Sequence, residues 1–341
     1  MNGRTLWLDR SPGEVRGVVV LDGEPERLLI QREDEPDRAR LGEVRRGRVR
    51  ALAKGFRGAF IDLGLEQDGL LKLSADAPAL TEGQAVEAEV AAEARADKAP
   101  SLRLRGLASG PPALLTPAPS LEERLRALAP DTTITTGEEA REAADEAEEA
   151  ALAVRFALPR GLVMTVEPTR ALIAVDVDLT EPGASRKTVL DANRAAIREA
   201  ARLLRLKGLA GLVAIDLAGE AREHDALHAV AKDAFSPDQP GVVLAGISRL
   251  GLLQLAKPWR ERPVRDVLTD PDGRLSARTV AARLLRALER EGRADPGARL
   301  TGVCAPEVAE HACRHVAALG PRFSITPELG RDRLSTDIRS R

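Results

Sequence analysis

Between Arg4 and Glu33 apolar and polar positions alternate in three runs, RTLWLDR, EVRGVVVLDG and PERLLIQRE, separated by SPG and DGEP. Period-two alternation bounded by turn residues predicts a β-meander. Five more short runs follow from Glu43 to Leu107: EVRRGRVRAL, RGAFIDLG, GLLKL, AVEAEVAAEA and SLRLRGL, with glycines at the bends. GPPALLTPAPS then reads as a proline-rich connector. Thr135-x-x-Glu138 has the spacing of a capping box, and it predicts an acidic helix through GEEAREAADEAEEAALAVR whose charges form a solvated face.

From Leu162 the period changes. LVMTVEP and TRALIAVDVD read as strands, RKTVLDANRAAIREAARLLRLKG contains a long helix, and LAGLVAIDL is a further strand. A helix around HDALHAVAKDAF and a strand in GVVLAGISRLG complete an α/β unit over residues 161–262. Residues 268–341 predict a small α+β domain: helix SARTVAARLLRALERE, strand ARLTGVC, helix PEVAEHACRHVAAL and strand RFSITPEL. The five strands between residues 43 and 107 fit the budget of an OB-fold barrel, so the chain reads as a multidomain mixture of α+β and α/β parts.

Composition narrows the picture modestly. The 341 residues are 43% hydrophobic, with five Phe, two Trp and no Tyr, so aliphatic cores are expected. A net charge of −2 argues against coating nucleic acid by bulk charge and leaves local patches as the means of binding it. The opening MNGRTLWLDRSPGEV mixes acid and base without an apolar core, so no secretory signal is expected. No run approaches the roughly 18 apolar residues of a membrane span, and a cytoplasmic protein without membrane partners is expected. Cys304 and Cys313 match no zinc or disulfide spacing and are expected as buried thiols. His224 with His228, and His311 with His315, are four apart but lack a third ligand, and are read as helix-surface residues.

The chemistry lies at two strand ends. ALIAVDVD and GLVAIDL both run into Asp, and about 20 helical residues connect them. A right-handed crossover between parallel strands puts both carboxyl ends on one sheet edge, so Asp176 and Asp216 should face one crevice. Asp178, two residues on, shares the face of Asp176. Clustered carboxylates repel unless a cation lies between them, which suits Mg²⁺. Spacing alone leaves open the alternative that these aspartates cap a helix or tie a loop. In the barrel, Arg45, Arg46, Arg48, Arg50, Lys54 and Arg57 surround a glycine-rich hairpin with Phe56 and Phe60. Bases alongside aromatics suit a single-strand-binding surface, although a core Phe60 with solvated arginines would read the same.

GEVRRGRVRALAKGFRGAFIDLGLEQDGLLKL resembles the S1-type RNA-binding domain of the ribonuclease E/G family. LPRGLVMTVEPTRALIAVDVD, LDANRAAIREAARLLRLKGLAGLVAIDL and ISRLGLLQLAK resemble its catalytic core in the same order. The resemblance implies an S1-type barrel (43–107) inserted in an RNase H-like sheet formed by residues 1–42 and part of 108–160. It implies a DNase I-like catalytic domain over 161–262, and hydrolysis of single-stranded RNA by a Mg²⁺-activated water, with Mn²⁺ as a substitute ion. Asp176 and Asp216 match the metal-binding aspartates, Asp178 stands where the family has a supporting Asn, and Arg249 matches a core basic residue. Phe60 and Lys98 match RNA-contacting positions, beside Phe56, Arg57 and Arg48 on the same barrel.

Departures accompany the matches. Leu70 replaces a second barrel aromatic, and Gly219, beside Glu220, replaces a further Asp. About 50 residues between barrel and catalytic strands leave no room for the family's 5′-monophosphate sensor domain. No C-P-x-C link follows LLQLAKPWRERP, so neither structural zinc nor a zinc-bridged assembly is expected, and a homodimer would have to pair otherwise. RLLRLKG matches a family motif whose charges would lie along the RNA or face solvent. The expected activity is an endoribonuclease of RNA processing or decay. The alternative is a non-catalytic RNA-binding or ribosomal-RNA-maturation factor on the same fold.

Overall fold

A computed structural model of the chain describes all residues except 1, 2, 34, 36, 54, 56, 75, 76, 96, 97, 180–184, 220–222 and 341; the side chains of residues 160 and 186 are also outside it. Phe56, Lys54 and Glu220 thus fall outside the described residues. The chain opens with the expected meander, β1 (Arg4–Ser11), β2 (Glu14–Leu21) and β3 (Glu24–Arg32). Asp22 and Gly23 join β2 to β3 with φ of 52° and 90°, the left-handed pair that a tight two-residue hairpin turn requires.

Strands β4 (Val44–Ala53), β5 (Gly58–Asp62), β6 (Gly69–Lys72), β7 (Ala85–Ala92) and β8 (Ser101–Leu107) follow. They hydrogen-bond in the order β5-β6-β8-β7-β4, and β4 pairs again with β5, which closes a five-stranded barrel. Only β6 and β8 run parallel. Val49, Ile61, Leu71, Val86, Val90 and Leu102 fill it. Gly69 is required at its packed wall, since a Cβ there would lie 2.4 Å from Leu102 Cδ1. The proline-rich stretch is more than a connector: β9 (Ala113–Thr116) pairs with β4, with Val44 opposite Thr116.

The chain then returns to the meander. Helix α1 (Leu121–Leu128) opens on a capping box in which Ser120 Oγ accepts from Glu123 N at 3.2 Å and Glu123 accepts from Ser120 N at 2.7 Å. The spacing at Thr135 is not a cap. Ile134–Thr136 is strand β10, parallel to β1, and helix α2 (Glu138–Leu152) has Gly137 at its N-cap with no side-chain bond. The reading of α2 as a solvated acidic face is also corrected. Ala140, Ala144, Ala147 and Ala151 are buried, and so are Arg141 and Glu148, because their partners lie on β1, β2 and a later helix.

The second sheet comprises β11 (Arg155–Leu158), β12 (Leu162–Pro168), β13 (Ile173–Leu179), β14 (Gly211–Asp216), β15 (Val243–Ile247) and β16 (Leu252–Lys257), in the order β11-β12-β13-β14-β16-β15. Helix α3 (Arg186–Leu206) crosses from β13 to the parallel β14, and α4 (His224–Ala234) precedes β15. One hydrophobic cluster runs from Val18 and Leu28 of the first sheet through α2 and α3 to Val175, Ile215 and Leu255 of the second. On the other side of the first sheet, Leu121 and Leu125 of α1 pack on Leu6 and Leu8. The layers are therefore α1, sheet, helices, sheet. Burying each such leucine contributes about 1.5–3 kcal/mol.

Residues 264–340 add α5 (Val264–Leu268), α6 (Ala277–Ala294), β17 (Leu300–Cys304), α7 (Pro306–His315), β18 (Phe323–Pro327) and an unforeseen edge strand, β19 (Asp337–Ser340). Cys304 is buried as expected, but Cys313 is exposed. His315 packs over Gly13, where a Cβ would lie 2.6 Å from the imidazole, so it is not a plain surface residue. Among the described residues no helix is long and apolar enough to cross a membrane.

Candidate functional site

The outward positions of the second sheet carry the candidate acids. Along β13, Ile173, Val175 and Val177 are buried in the helix-covered core, which turns Asp176 and Asp178 to the open face. Along β14, Val213 and Ile215 are buried and Asp216 is exposed. The crossover geometry holds in detail: Asp176 and Asp216 are register partners in the parallel pair β13–β14. Their backbones are thus one strand spacing apart, about 4.8 Å, and Asp178 stands about 6.6 Å farther along β13. Loss of hydration, then the charges of Asp178 and Asp216, hold the Asp176 carboxyl above its ordinary value. No arginine or lysine among the described residues forms an ion pair with any of the three.

This donor set fits a hard divalent cation: exposed carboxylate oxygens, mutual repulsion and, among the described residues, no ion-paired arginine or lysine to relieve it. No group of three or more His, Cys, Asp or Glu among the described residues has the geometry of a metal site. The Asp176–Asp216 pair is accordingly the part that the strand register supplies, and Asp178 is a neighbour one pleat away.

Asn193 of α3 is a residue that the sequence reading missed. It is 1% exposed; Nδ2 donates to Ala218 O at 3.0 Å, and Oδ1 accepts from Ala218 N at 2.9 Å. One side-chain amide thus pairs with both polar groups of the residue two beyond Asp216 and fixes where β14 ends. A signal existed. Asn193 falls in the i, i+3, i+4, i+7 stripe with Ala196, Ile197 and Ala200, where an amide needs a buried partner. Gly219 follows at φ 63°.

Arg249 lies at the tip of the β15–β16 hairpin, where Ser248 Oγ accepts from Leu250 N and Leu252 N, both at 3.3 Å. Leu252 is the register partner of Asp216, so this exposed tip shares the sheet edge with the carboxylates. RLLRLKG does not. Arg202 bonds Glu199 and the Pro25 carbonyl, and Arg205 bridges Glu26 and Asp238 at 2.9 and 2.8 Å. Lys207 Nζ donates to the carbonyls of Ala150, Ala151 and Ala153 at the end of α2. The basic run is an internal brace, because strands and helices remote in sequence supply its acceptors.

On the barrel, Phe60 is 37% exposed and lies opposite Leu70 across β5–β6. Lys98 is exposed in the loop leading to β8, and Arg57 is exposed before β5. Arg48 is engaged, donating to Gly83 O at 2.7 Å and Gly110 O at 3.4 Å. Arg45 is buried against Glu43 at 2.7 Å, Arg46 donates to Pro111 O, and Arg50 pairs with Asp68. Most of the expected basic patch thus holds the barrel together. The barrel meets the sheet at the far end of β14, where the Arg95 guanidinium stacks 4.0 Å from the centre of the Trp259 ring and Trp259 closes over Gly211.

Residues 118–260 match the Ribonuclease E/G family. That segment is similar to the ribonuclease E/G family. It contains Asp176, Asp178, Asn193, Asp216 and Arg249, and it excludes the barrel and the C-terminal domain. Curated relatives agree. Ribonuclease E of Nostoc sp. is 31% identical over 125 residues, which cover 35% of this chain and 18% of the relative. Ribonuclease E of Haemophilus influenzae is 35% identical over 105 residues, 29% of this chain and 11% of the relative. The chloroplastic Ribonuclease E/G-like protein of Arabidopsis thaliana is 29% identical over 134 residues, 37% and 13% respectively. The matched part thus spans less than a fifth of each of these three relatives.

Proposed function

We propose that this protein is a Mg²⁺-dependent endoribonuclease of single-stranded RNA, acting in RNA processing or decay in the cytoplasm. The observation that carries the reading is the register pairing of Asp176 with Asp216 on an open sheet face, inside the segment that matches the ribonuclease E/G family. Asp176 and Asp216 would hold the ion, with Asp178 adding negative charge beside them. A bound Mg²⁺ supplies an activated water and neutralises charge that grows on a phosphodiester. Asn193 holds the Asp216 strand end in place, and Arg249 offers a cation to a phosphate at the same edge. The layered sheet is read as DNase I-like and the meander with α1 and α2 as RNase H-like.

The barrel is read as an S1-type OB fold. Its closed order, β4-β5-β6-β8-β7-β4 with the single parallel pair β6–β8, supports that assignment. Phe60 would stack a base, with Lys98 and Arg57 beside it for phosphates. The missing sensor domain and zinc link favour cleavage that does not depend on the 5′ end, and an assembly without zinc.

The test is incubation of an A/U-rich single-stranded RNA with and without Mg²⁺, beside Asp176→Ala and Asp216→Ala. Metal-dependent cleavage lost in both variants is expected. RNA binding without cleavage at any Mg²⁺ concentration would replace the enzyme with a second reading, a non-catalytic RNA-binding or ribosomal-RNA-maturation factor. Gly219 and Leu70, each standing where the family has a functional side chain, favour that second reading.

A further inference from the structure

Asp238, in the turn after α4, is 3% exposed and serves three cations: Arg205 Nη1 at 2.8 Å, Lys257 Nζ at 3.3 Å and Arg27 Nη2 at 3.8 Å. Arg205 has a second acid in Glu26, which also holds Arg4. Beyond Asp238, Lys257 finds the neutral Leu209 carbonyl at 3.1 Å, and Arg260 reaches only the Pro240 carbonyl, at 3.5 Å, among the described residues. Glu261, the other acid on this wall, is drawn to Arg124 at 2.7 Å. These groups border a cavity of about 110 Å³. At about 30 Å³ per water, that is room for roughly three to four waters or one tetrahedral oxyanion.

We propose that this cavity binds a single phosphate group, with Arg27, Lys257 and Arg260 as its cationic ligands. Arg27 and Lys257 are largely withdrawn from water, with side chains 24% and 10% exposed; among the described residues Asp238 is the one carboxylate within ion-pair distance of either, and Glu26 and Glu261 act on Arg27 only from farther off. Burial holds both below their ordinary values against the pull of Asp238, which an anion in the cavity would reverse. The site is separate from the aspartate edge. Lys257 pairs with Gly211, five residue steps from the Leu252–Asp216 pair, or about 17 Å along the strand. It therefore holds a phosphate other than one at the carboxylates, and it does not depend on the nuclease reading. A free phosphate and the backbone phosphate of a nucleic-acid strand are the two sources of this chemistry.

The test is titration of the full chain with inorganic phosphate at constant ionic strength, read by calorimetry and by thermal unfolding, for wild type, Lys257→Met and Arg260→Ala. Arg260 is exposed, so its variant keeps the fold even if Lys257→Met does not. Saturable binding and a raised Tm in wild type are expected, weakened about tenfold or more in each variant, as loss of a charged hydrogen bond implies. A short oligouridylate without terminal phosphates that displaces phosphate identifies a strand as the source; failure to displace identifies free phosphate. No saturable binding of either probe, or equal binding in all three proteins, overturns the proposal.

Discussion

Replacing Glu148 with Gln perturbs the most heavily charged part of the interior. The Glu148 side chain is 3% exposed and accepts from Arg283 Nε at 2.7 Å, Arg16 Nη1 at 3.0 Å and Arg286 Nη2 at 3.2 Å. It thereby joins α2 to β2 and to α6. Removing one partner from a buried ion pair costs about 3–5 kcal/mol, because the remaining charge stays buried. Here Arg16 keeps Asp9 at 2.7 Å and Arg286 keeps Glu14, so the low end, about 3 kcal/mol, is expected. Against a typical total of about 5–15 kcal/mol, that is a large loss, visible as a lowered urea midpoint at pH 7. The pH dependence provides a second check. Burial pushes the Glu148 carboxyl up, but Arg286, Arg283 and Arg16 outweigh it and hold it below the ordinary glutamate value near 4.5. A depressed folded pKa contributes stability that is full above 4.5 and is lost as pH falls through the folded value. The gap between wild type and Glu148→Gln should therefore close as the solution is acidified. A variant within about 0.5 kcal/mol of wild type at neutral pH, or a gap that persists in acid, would refute the reasoning.

Other outcomes follow from the same structure. Asn193→Ala strands both polar groups of Ala218, so a loss of about 1–3 kcal/mol in stability is expected; if it also aligns Asp216, the Mg²⁺ concentration for half-maximal cleavage should rise about 10- to 100-fold. Lys207, pushed down to about 8 by burial and then by Arg265, gives up its proton in the fold before the unfolded value of 10.5. Wild-type thermal stability should accordingly gain a rising contribution between those two pH values that Lys207→Met lacks. Phe60→Ala should weaken oligouridylate binding by about 1–3 kcal/mol in fluorescence anisotropy, and Leu70→Phe should strengthen it, since the two face each other across β5–β6.

The alternation in β1–β3, the Asp22-Gly23 turn and the strand-helix-strand run into Asp176 and Asp216 were legible because each depends on local spacing and crossover handedness. Helix α1 was legible in principle, as Ser120 and Glu123 form the capping box that was sought at Thr135; the prolines around it disguised the boundary. The buried charges were not legible. Arg16, Arg141, Glu148, Arg205 and Lys207 have ordinary surface chemistry, and only tertiary contact with residues remote in sequence shows that they are interior. The barrel arginines were illegible in another way: Arg48 stays exposed, but its hydrogen bonds to the Gly83 and Gly110 carbonyls join segments remote in sequence.

Strands β4 and β9, the first and last of the barrel region, lie side by side with Val44 opposite Thr116. The chain thus leaves the meander after β3 and returns to it at α1 through two neighbouring points, about 5 Å apart. A segment whose ends meet so closely can be excised and bridged by a few flexible residues, or exchanged for another fold of similar footprint, without altering the register of β13 with β14. If the proposed nuclease reading holds, binding by the barrel and chemistry at the aspartates would be separable in this chain, and a transplanted barrel would be expected to redirect the same sheet edge to a different strand.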